Sequence, residues 1–91
     1  MNNNDNGPLT AKELEEMGFS YNGIVTEDEF KYDTWSQEQM GCWLEVTNEY
    51  EPNGLFIKQF YEVNHYCLIG ETTKQRFVEL TKLLKDGKAN D

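Results

Sequence analysis

Residues 42–63, CWLEVTNEYEPNGLFIKQFYEV, have the pattern of two β-strands joined by a turn. In the first half, apolar residues at positions 42, 44 and 46 alternate with Trp43, Glu45 and Thr47. Successive side chains of a strand point to opposite faces of a sheet, so this alternation predicts one buried face and one polar, aromatic face. The tetrapeptide EPNG combines proline, asparagine and glycine, which favour a turn. We therefore expect two antiparallel strands here.

Further strands are predicted on both sides of this pair. They are FSYNGIV at 19–25, EFKYDTW at 29–35 and HYCLIG at 65–70. The Asn22-Gly23 pair is typical of a hairpin turn or a kink. We expect SQEQMG, at 36–41, to turn the chain, and Asn64 to mark a bend or bulge. Consecutive short strands of this kind are typical of an antiparallel meander.

The strand EFKYDTW belongs to the acidic and aromatic stretch TEDEFKYDTW, residues 26–35. Its period of two predicts that Phe30 and Tyr32 point toward the core. The carboxylates of this stretch and Trp35 are then expected to point toward solvent.

Helices are predicted at both ends of the fold. In LTAKELEEMGF, Thr10 and Glu13 have the spacing of a capping box, and Gly18 fits the left-handed residue that ends a helix. In RFVELTKLLK, apolar residues recur at helical spacing from Phe77 onward. Thr72 or Thr73 is expected to cap this second helix, and Gly87 to follow its last turn.

These elements predict an α+β domain. It has a short N-terminal helix, an antiparallel sheet of three to five strands and a C-terminal amphipathic helix packed on that sheet. We expect one domain at 9–87, preceded by a disordered tail at 1–8 and followed by a frayed tail at 88–91.

The charge balance narrows the class of partner. Seventeen acidic residues oppose eight basic ones, so the net charge is −9. An acidic field disfavours direct nucleic-acid binding and attracts basic partners. The same charge would also serve solubility alone. No signal peptide or membrane-length apolar stretch is recognised, so we expect a cytosolic protein with no membrane partner.

Metal-binding and catalytic patterns are weak. Calcium loops need a central glycine, which the acidic cluster at 27–33 lacks. Zinc needs four ligands, and His65, Cys67 and Cys42 supply three. We expect the two cysteines to be buried as small apolar residues, and the histidine to be a core residue bonded to a backbone carbonyl. The sequence predicts no cofactor, no metal and no enzymatic activity.

The two tryptophans, five tyrosines and five phenylalanines exceed what one small core can bury. Tyrosine and tryptophan are enriched at protein interfaces, so some rings are expected to join the acidic residues in a recognition surface. The partner-binding residues predicted on this basis are Glu27, Asp28, Glu29, Tyr32, Asp33, Trp35, Trp43, Glu45, Glu49 and Glu51.

The opening LTAKELEEMGF, the aromatic strands and the closing RFVELTKLLK together resemble small uncharacterised accessory proteins of Bacteroidetes-type bacteria and their phages. The resemblance covers residues 9–85. It implies a mobile-element setting, in which small acidic proteins often inhibit host defence, including anti-CRISPR proteins that mimic nucleic-acid charge.

Charge and resemblance together predict a non-enzymatic inhibitor that binds the basic surface of a nucleic-acid-handling defence protein. An immunity protein against a cationic toxin would bind its target through the same charge complementarity. A different class is a binder of a signalling nucleotide, with Lys58, Lys74 and Arg76 meeting phosphate. Exposed rings and a free sheet edge would also allow a homodimer.

Overall fold

A computed structural model describes residues 7–70 and 72–87 of the chain. The elements are α1 (Ala11–Glu16), β1 (Ser20–Thr26), β2 (Lys31–Gln39), β3 (Cys42–Tyr50), β4 (Phe56–Val63), β5 (Tyr66–Cys67) and α2 (Thr73–Gly87). The five strands form one antiparallel sheet in chain order, β1-β2-β3-β4-β5. The predicted α+β arrangement is confirmed. Within the described residues, no helix has the length and apolar character needed to cross a membrane.

The strand register divides the sheet into two faces. Val46 of β3 lies opposite Trp35 of β2 and Tyr61 of β4, and Leu44 lies opposite Gln37 and Val63. These residues share the face against which the helices pack, which we call the covered face. The alternate residues of the same strands form the other side, the open face.

The hydrophobic core lies between the covered face and the two helices. Phe77 of α2 is fully buried, with its ring centroid 5.9 Å from that of Phe19 and 5.2 Å from that of Tyr61. Leu14, from α1, is also buried in this cluster. The apolar stripe predicted for the C-terminal helix therefore packs on the sheet, as expected.

The N-terminal helix is short and is capped at both ends. The Glu13 amide donates to Thr10 Oγ1 at 3.1 Å, and the Thr10 amide donates to Glu13 Oε1 at 2.9 Å, which confirms the capping box. Gly18 has a φ of +99°, as predicted for the residue that ends the helix. Lys85 of α2 donates to the Met17 carbonyl at 2.8 Å and joins the two helices.

The turn between β2 and β3 differs from the sequence prediction. Residues 36–39 continue β2 instead of turning, and the reversal occurs at Met40 and Gly41, which have φ values of 51° and 81°. Two consecutive residues with positive φ form the turn that best matches strand twist, and this favours the longer hairpin. The Asn22-Gly23 pair lies within β1, where the register shifts, so of the two predicted alternatives, a hairpin turn or a kink, the kink is confirmed.

The sheet has a short last strand. We predicted a strand at 65–70, but β5 contains two residues, which pair with Glu62 and Val63. Along Phe56–Phe60, no strand in the described chain pairs with the outer edge of β4. Asn64 has a φ of 52°, which confirms the predicted bend before β5.

The chain ends differ in part from prediction. Gly87 belongs to α2 and does not follow it. Of the predicted tails, residues 1–6 and 88–91 lie outside the described residues. Gly7 is described, and its carbonyl accepts a hydrogen bond from Lys74 Nζ at 2.6 Å.

Candidate functional site

The open face is a candidate binding surface. Its residues are Tyr32, Thr34, Ser36 and Glu38 of β2, Trp43, Glu45, Thr47 and Glu49 of β3, and Lys58, Phe60 and Glu62 of β4. The helices of the described chain pack on the other side of the sheet, so these side chains stand above a single layer. A sheet face left uncovered in this way is available to a partner.

Negative charge dominates the open face. It carries four carboxylates and one ammonium group, that of Lys58. Glu45 lies directly opposite Glu62, a like-charge pair that is unfavourable within a sheet. Trp43 Nε1 donates to Glu45 Oε1 at 2.9 Å, and Lys58 Nζ lies 4.8 Å from the centre of the Phe60 ring. The face therefore combines a negative field with rings held in place by neighbouring charges.

A shallow depression of about 310 Å³ lies on the open face. Its walls combine aromatic rings with the carboxylates of Glu49 and Glu62. The rings of Phe30 and Tyr32 are 6.0 Å apart at one side of it. The lining residues are Phe30, Tyr32, Thr47, Glu49, Phe60 and Glu62. Such a depression suits an apolar anchor flanked by positive charge.

The remaining acidic residues of the predicted site lie in turns at one end of the sheet. Glu27, Asp28 and Glu29 connect β1 to β2, and Glu51 follows β3. All four are exposed. Because the β1–β2 and β3–β4 connections lie at the same end of the meander, these acids extend the negative surface of the open face, which contains Tyr32, Trp43, Glu45 and Glu49.

Asp33 and Trp35 do not belong to that surface, and this corrects the sequence prediction. Both lie on the covered face, and each exposes only 7% of its surface. Phe30 and Tyr32, which were expected to point inward, lie on the open face instead. Residues 33, 35 and 37 share a face by strand periodicity. Burial of the large Trp35 ring places Asp33 on the same side.

Asp33 is held by three neutral donors. The hydroxyls of Tyr21 and Tyr50 donate to Oδ2 at 3.1 Å each, and Asn48 Nδ2 donates to Oδ1 at 2.9 Å. Burial, together with the hydrogen bond to Asp33, raises the pKa of Tyr50 to about 12. The same causes raise the pKa of Tyr21. Both hydroxyls therefore keep their protons at neutral pH and act as donors.

Gln59 connects this network to the N-terminal segment. Its Nε2 donates to Asn48 Oδ1 at 2.8 Å and to the Leu9 carbonyl at 3.0 Å, while the Leu9 amide donates to Oε1 at 2.8 Å. The Tyr61 hydroxyl also donates to Gln59 Oε1. Burial, with a smaller effect from the charge of Glu13, raises the pKa of Tyr61 to about 12. The segment before α1 is thus fixed over one end of the covered face.

One group of side chains in the described chain has the ligand spacing of a cation site. Potential ligand atoms of Glu45, Glu62 and His65 all lie within 4.8 Å of one another. Two carboxylates and an imidazole are ligand types that zinc accepts. The group shares only His65 with the candidate metal sites considered in the sequence, which were the acidic cluster at 27–33 and the set of His65, Cys67 and Cys42.

His65 and the cysteines were placed incorrectly. His65 is exposed and stacks on Trp43, with ring centroids 6.3 Å apart, so it is not a core residue bonded to a carbonyl. Cys67 is exposed and Cys42 is half-buried, and both are free. Cys67 lies opposite Glu62 in the two-residue edge strand, where little of the fold covers it.

The cations of the alternative nucleotide site are not brought together. Lys58 opposes Glu49 on the open face. Lys74 and Arg76 belong to α2, which packs on the covered face.

Several residues of these sites were missed from the sequence. Phe60 and Glu62 join the open face through the pairing of β4 with β3, and Glu38 joins it through the pairing of β2 with β3. The donors to Asp33 come from two strands, Tyr21 from β1 and Asn48 and Tyr50 from β3, and no local pattern links them to Asp33. Comparisons with protein-family models, curated proteins and solved structures found no match to this chain.

Proposed function

We propose that this protein is a non-enzymatic inhibitor that binds the basic, nucleic-acid-binding surface of a bacterial defence protein or nuclease. The binding surface is the open face, extended by the turn acids Glu27, Asp28, Glu29 and Glu51. The observation that carries the proposal is a sheet face that no described helix covers and that holds four carboxylates and one ammonium group. The proposed setting is the cytosol of a host bacterium.

The negative charge of the protein complements a basic partner surface. A net charge of −9 on 91 residues repels nucleic acid and attracts a positively charged groove. The carboxylates would occupy positions that phosphates take in the natural ligand of such a groove. Complementary charge raises the association rate and excludes wrong partners.

The aromatic rings of the open face supply binding affinity. Phe30, Tyr32 and Phe60 surround the depression on the open face, and Trp43 lies farther along the same face of β3. Rings of this kind are enriched among the few residues that carry most of the binding energy at interfaces. Charge would thus guide the encounter, and the rings would hold the complex.

A pair of matched charge-reversal variants tests the proposal. Glu38→Lys with Glu49→Lys changes the open face, while Glu15→Lys with Glu16→Lys changes the exposed side of α1 by the same charge. Tagged wild-type and variant proteins are used to capture partners from lysate of a defence-carrying bacterium at low salt. The candidate partners are those that the α1 variant captures and the open-face variant does not.

The captured partner is then purified and its binding measured. We expect the open-face variant to associate about ten-fold more slowly than wild type at low salt, with a weaker salt dependence. We also expect the wild-type protein to displace nucleic acid from the partner in a gel-shift competition. Equal association of both variants, or a partner that keeps its nucleic acid at saturation, would contradict the proposal.

A further inference from the structure

A second cavity, of about 340 Å³, opens on the covered face beside the N-terminal segment. The rings of Tyr21, Trp35, Tyr50 and Phe56 line it, and we call these four residues the aromatic cage. The Tyr21 and Trp35 ring centroids are 4.9 Å apart, and Phe56 meets Tyr50 edge-on at 6.0 Å. Tyr21 and Phe56 expose about half of their surface, so they form the rim, and the buried Trp35 forms the floor.

A buried carboxylate lines the same cavity. Asp33 is almost completely buried, and among the described residues it contacts three neutral donors and no cation. Buried charges in proteins are normally paired with an opposite charge or a metal. Asp33 lacks such a partner within the described chain, so it adds an uncompensated negative potential to the floor of the cage.

We propose that the aromatic cage binds an alkylammonium group. Aromatic rings attract a cation through the negative potential of their faces, and a desolvated site strengthens this attraction. Quaternary and methylated ammonium groups have the apolar surface and diffuse charge that suit four rings above a carboxylate. An anion would be repelled by Asp33, and a neutral group would leave its charge uncompensated.

The surroundings of the cage are consistent with a cationic ligand. The turn acids at 27–29 and Glu51 lie at the same end of the sheet and add to the negative potential at its entrance. The raised pKa values of Tyr21 and Tyr50 keep their hydroxyls protonated and bonded to Asp33, so the rim does not acquire its own charge. The inference does not rest on the proposed function, because the cage lies on the opposite face of the sheet from the depression near Phe60.

Choline and its neutral isostere 3,3-dimethyl-1-butanol, which differ mainly in charge, test the inference. Each is titrated into isotope-labelled protein while the indole N–H resonance of Trp35 is followed by NMR, with Trp43→Phe used to assign it. We expect choline to bind about ten-fold more tightly than the isostere. Equal affinities, or no shift of the Trp35 resonance with choline at high concentration, would overturn the inference.

Variants locate the binding and identify the ligand source. Phe56→Leu keeps an apolar side chain but removes a ring, and should weaken choline binding several-fold. Phe30→Leu, at an exposed ring on the open face, should leave it unchanged. Asp33→Asn should also weaken binding, provided thermal unfolding shows a folded protein. Equal effects of the two phenylalanine variants would contradict the assignment. Tighter binding of N-acetyl-trimethyllysine amide than of choline would identify a protein side chain as the source, and the reverse order a free small molecule.

Discussion

At the scale of single residues, Asp33 is a buried carboxylate whose lost hydration has to be replaced by hydrogen bonds within the protein. Removing a carboxylate from water costs several kcal/mol unless hydrogen bonds replace its hydration. The hydroxyls of Tyr21 and Tyr50 and the amide of Asn48 provide that replacement. These three side chains are therefore needed for stability as well as for the shape of the aromatic cage.

Tyr50→Phe tests this role through pH. The pKa of Tyr50 is about 12 in the folded protein and near 10.0 in an unfolded chain, so its contribution is complete below pH 10 and is lost as pH rises toward 12. The variant should lose about 1 kcal/mol at neutral pH. Between pH 10 and pH 12 the unfolding free energy of the variant should fall less steeply with pH than that of wild type. The difference in slope corresponds to at most one proton, the one that folded Tyr50 retains. Urea unfolding at a series of pH values measures both quantities.

Tyr66→Phe is the matched control, because Tyr66 exposes 78% of its surface. It should keep the wild-type slope. An unchanged slope in Tyr50→Phe would mean that the tyrosine hydroxyl titrates as it does in the unfolded chain.

The sequence prediction of which side chains are buried is wrong in β2, where packing against other elements determines burial. The alternation in EFKYDTW correctly predicts a strand with two different faces, but the prediction of which face is buried is wrong. Phe30 and Tyr32 are apolar enough to suggest a core, yet Trp35 is the ring that the helices cover. Asp33 then follows by periodicity, and its donors come from β1 and β3, which the local sequence does not connect to it.

At the scale of elements, α1 depends on its caps. A helix of six residues is far below the roughly 12–15 residues at which isolated helices become stable in water. Its capping box, the buried Leu14 and the Lys85 bond to the Met17 carbonyl are what keep it folded. The sequence predicted this element well, because capping is encoded within four consecutive residues.

Thr10→Ala should destabilise the protein by about 1 kcal/mol, because the Glu13 amide loses its acceptor. Thr10→Ser keeps the hydroxyl and should retain most of the stability. Urea midpoints at constant m-value measure the difference. Equal midpoints for the two variants would show that the cap contributes nothing.

Turns were the elements that sequence predicted least reliably. EPNG at 51–54 separates β3 from β4 as expected, since proline and glycine specify it. Met40 adopts a positive φ that methionine does not favour, so the pairing of β2 with β3 determines this turn. Pairing between strands is not visible in a short window of sequence.

At the scale of the whole molecule, net charge opposes folding. A net charge of −9 creates self-repulsion in the compact state that the unfolded chain relieves. Added salt should therefore stabilise this protein. Raising ionic strength from about 10 mM to about 150 mM shortens the Debye length from about 30 Å to about 8 Å. We expect the melting temperature to rise over this range.

Glu15→Lys with Glu16→Lys lowers the net negative charge and should show a smaller rise with salt. Differential scanning fluorimetry in sodium chloride measures both proteins. A melting temperature that falls with salt would indicate that favourable ion pairs outweigh the repulsion.

The outer edge of β4, with which no described strand pairs along Phe56–Phe60, has a consequence for solubility during synthesis and storage. Residues 55–61, LFIKQFY, are rich in β-forming residues. Along Phe56–Phe60 the outer backbone groups pair with no described strand, so another chain could pair with them and extend the sheet into a fibril. Lys58 sits in the middle of this segment and projects beside Phe60. A charge at that position acts as a gatekeeper, since each added copy would stack like charges along the growing aggregate.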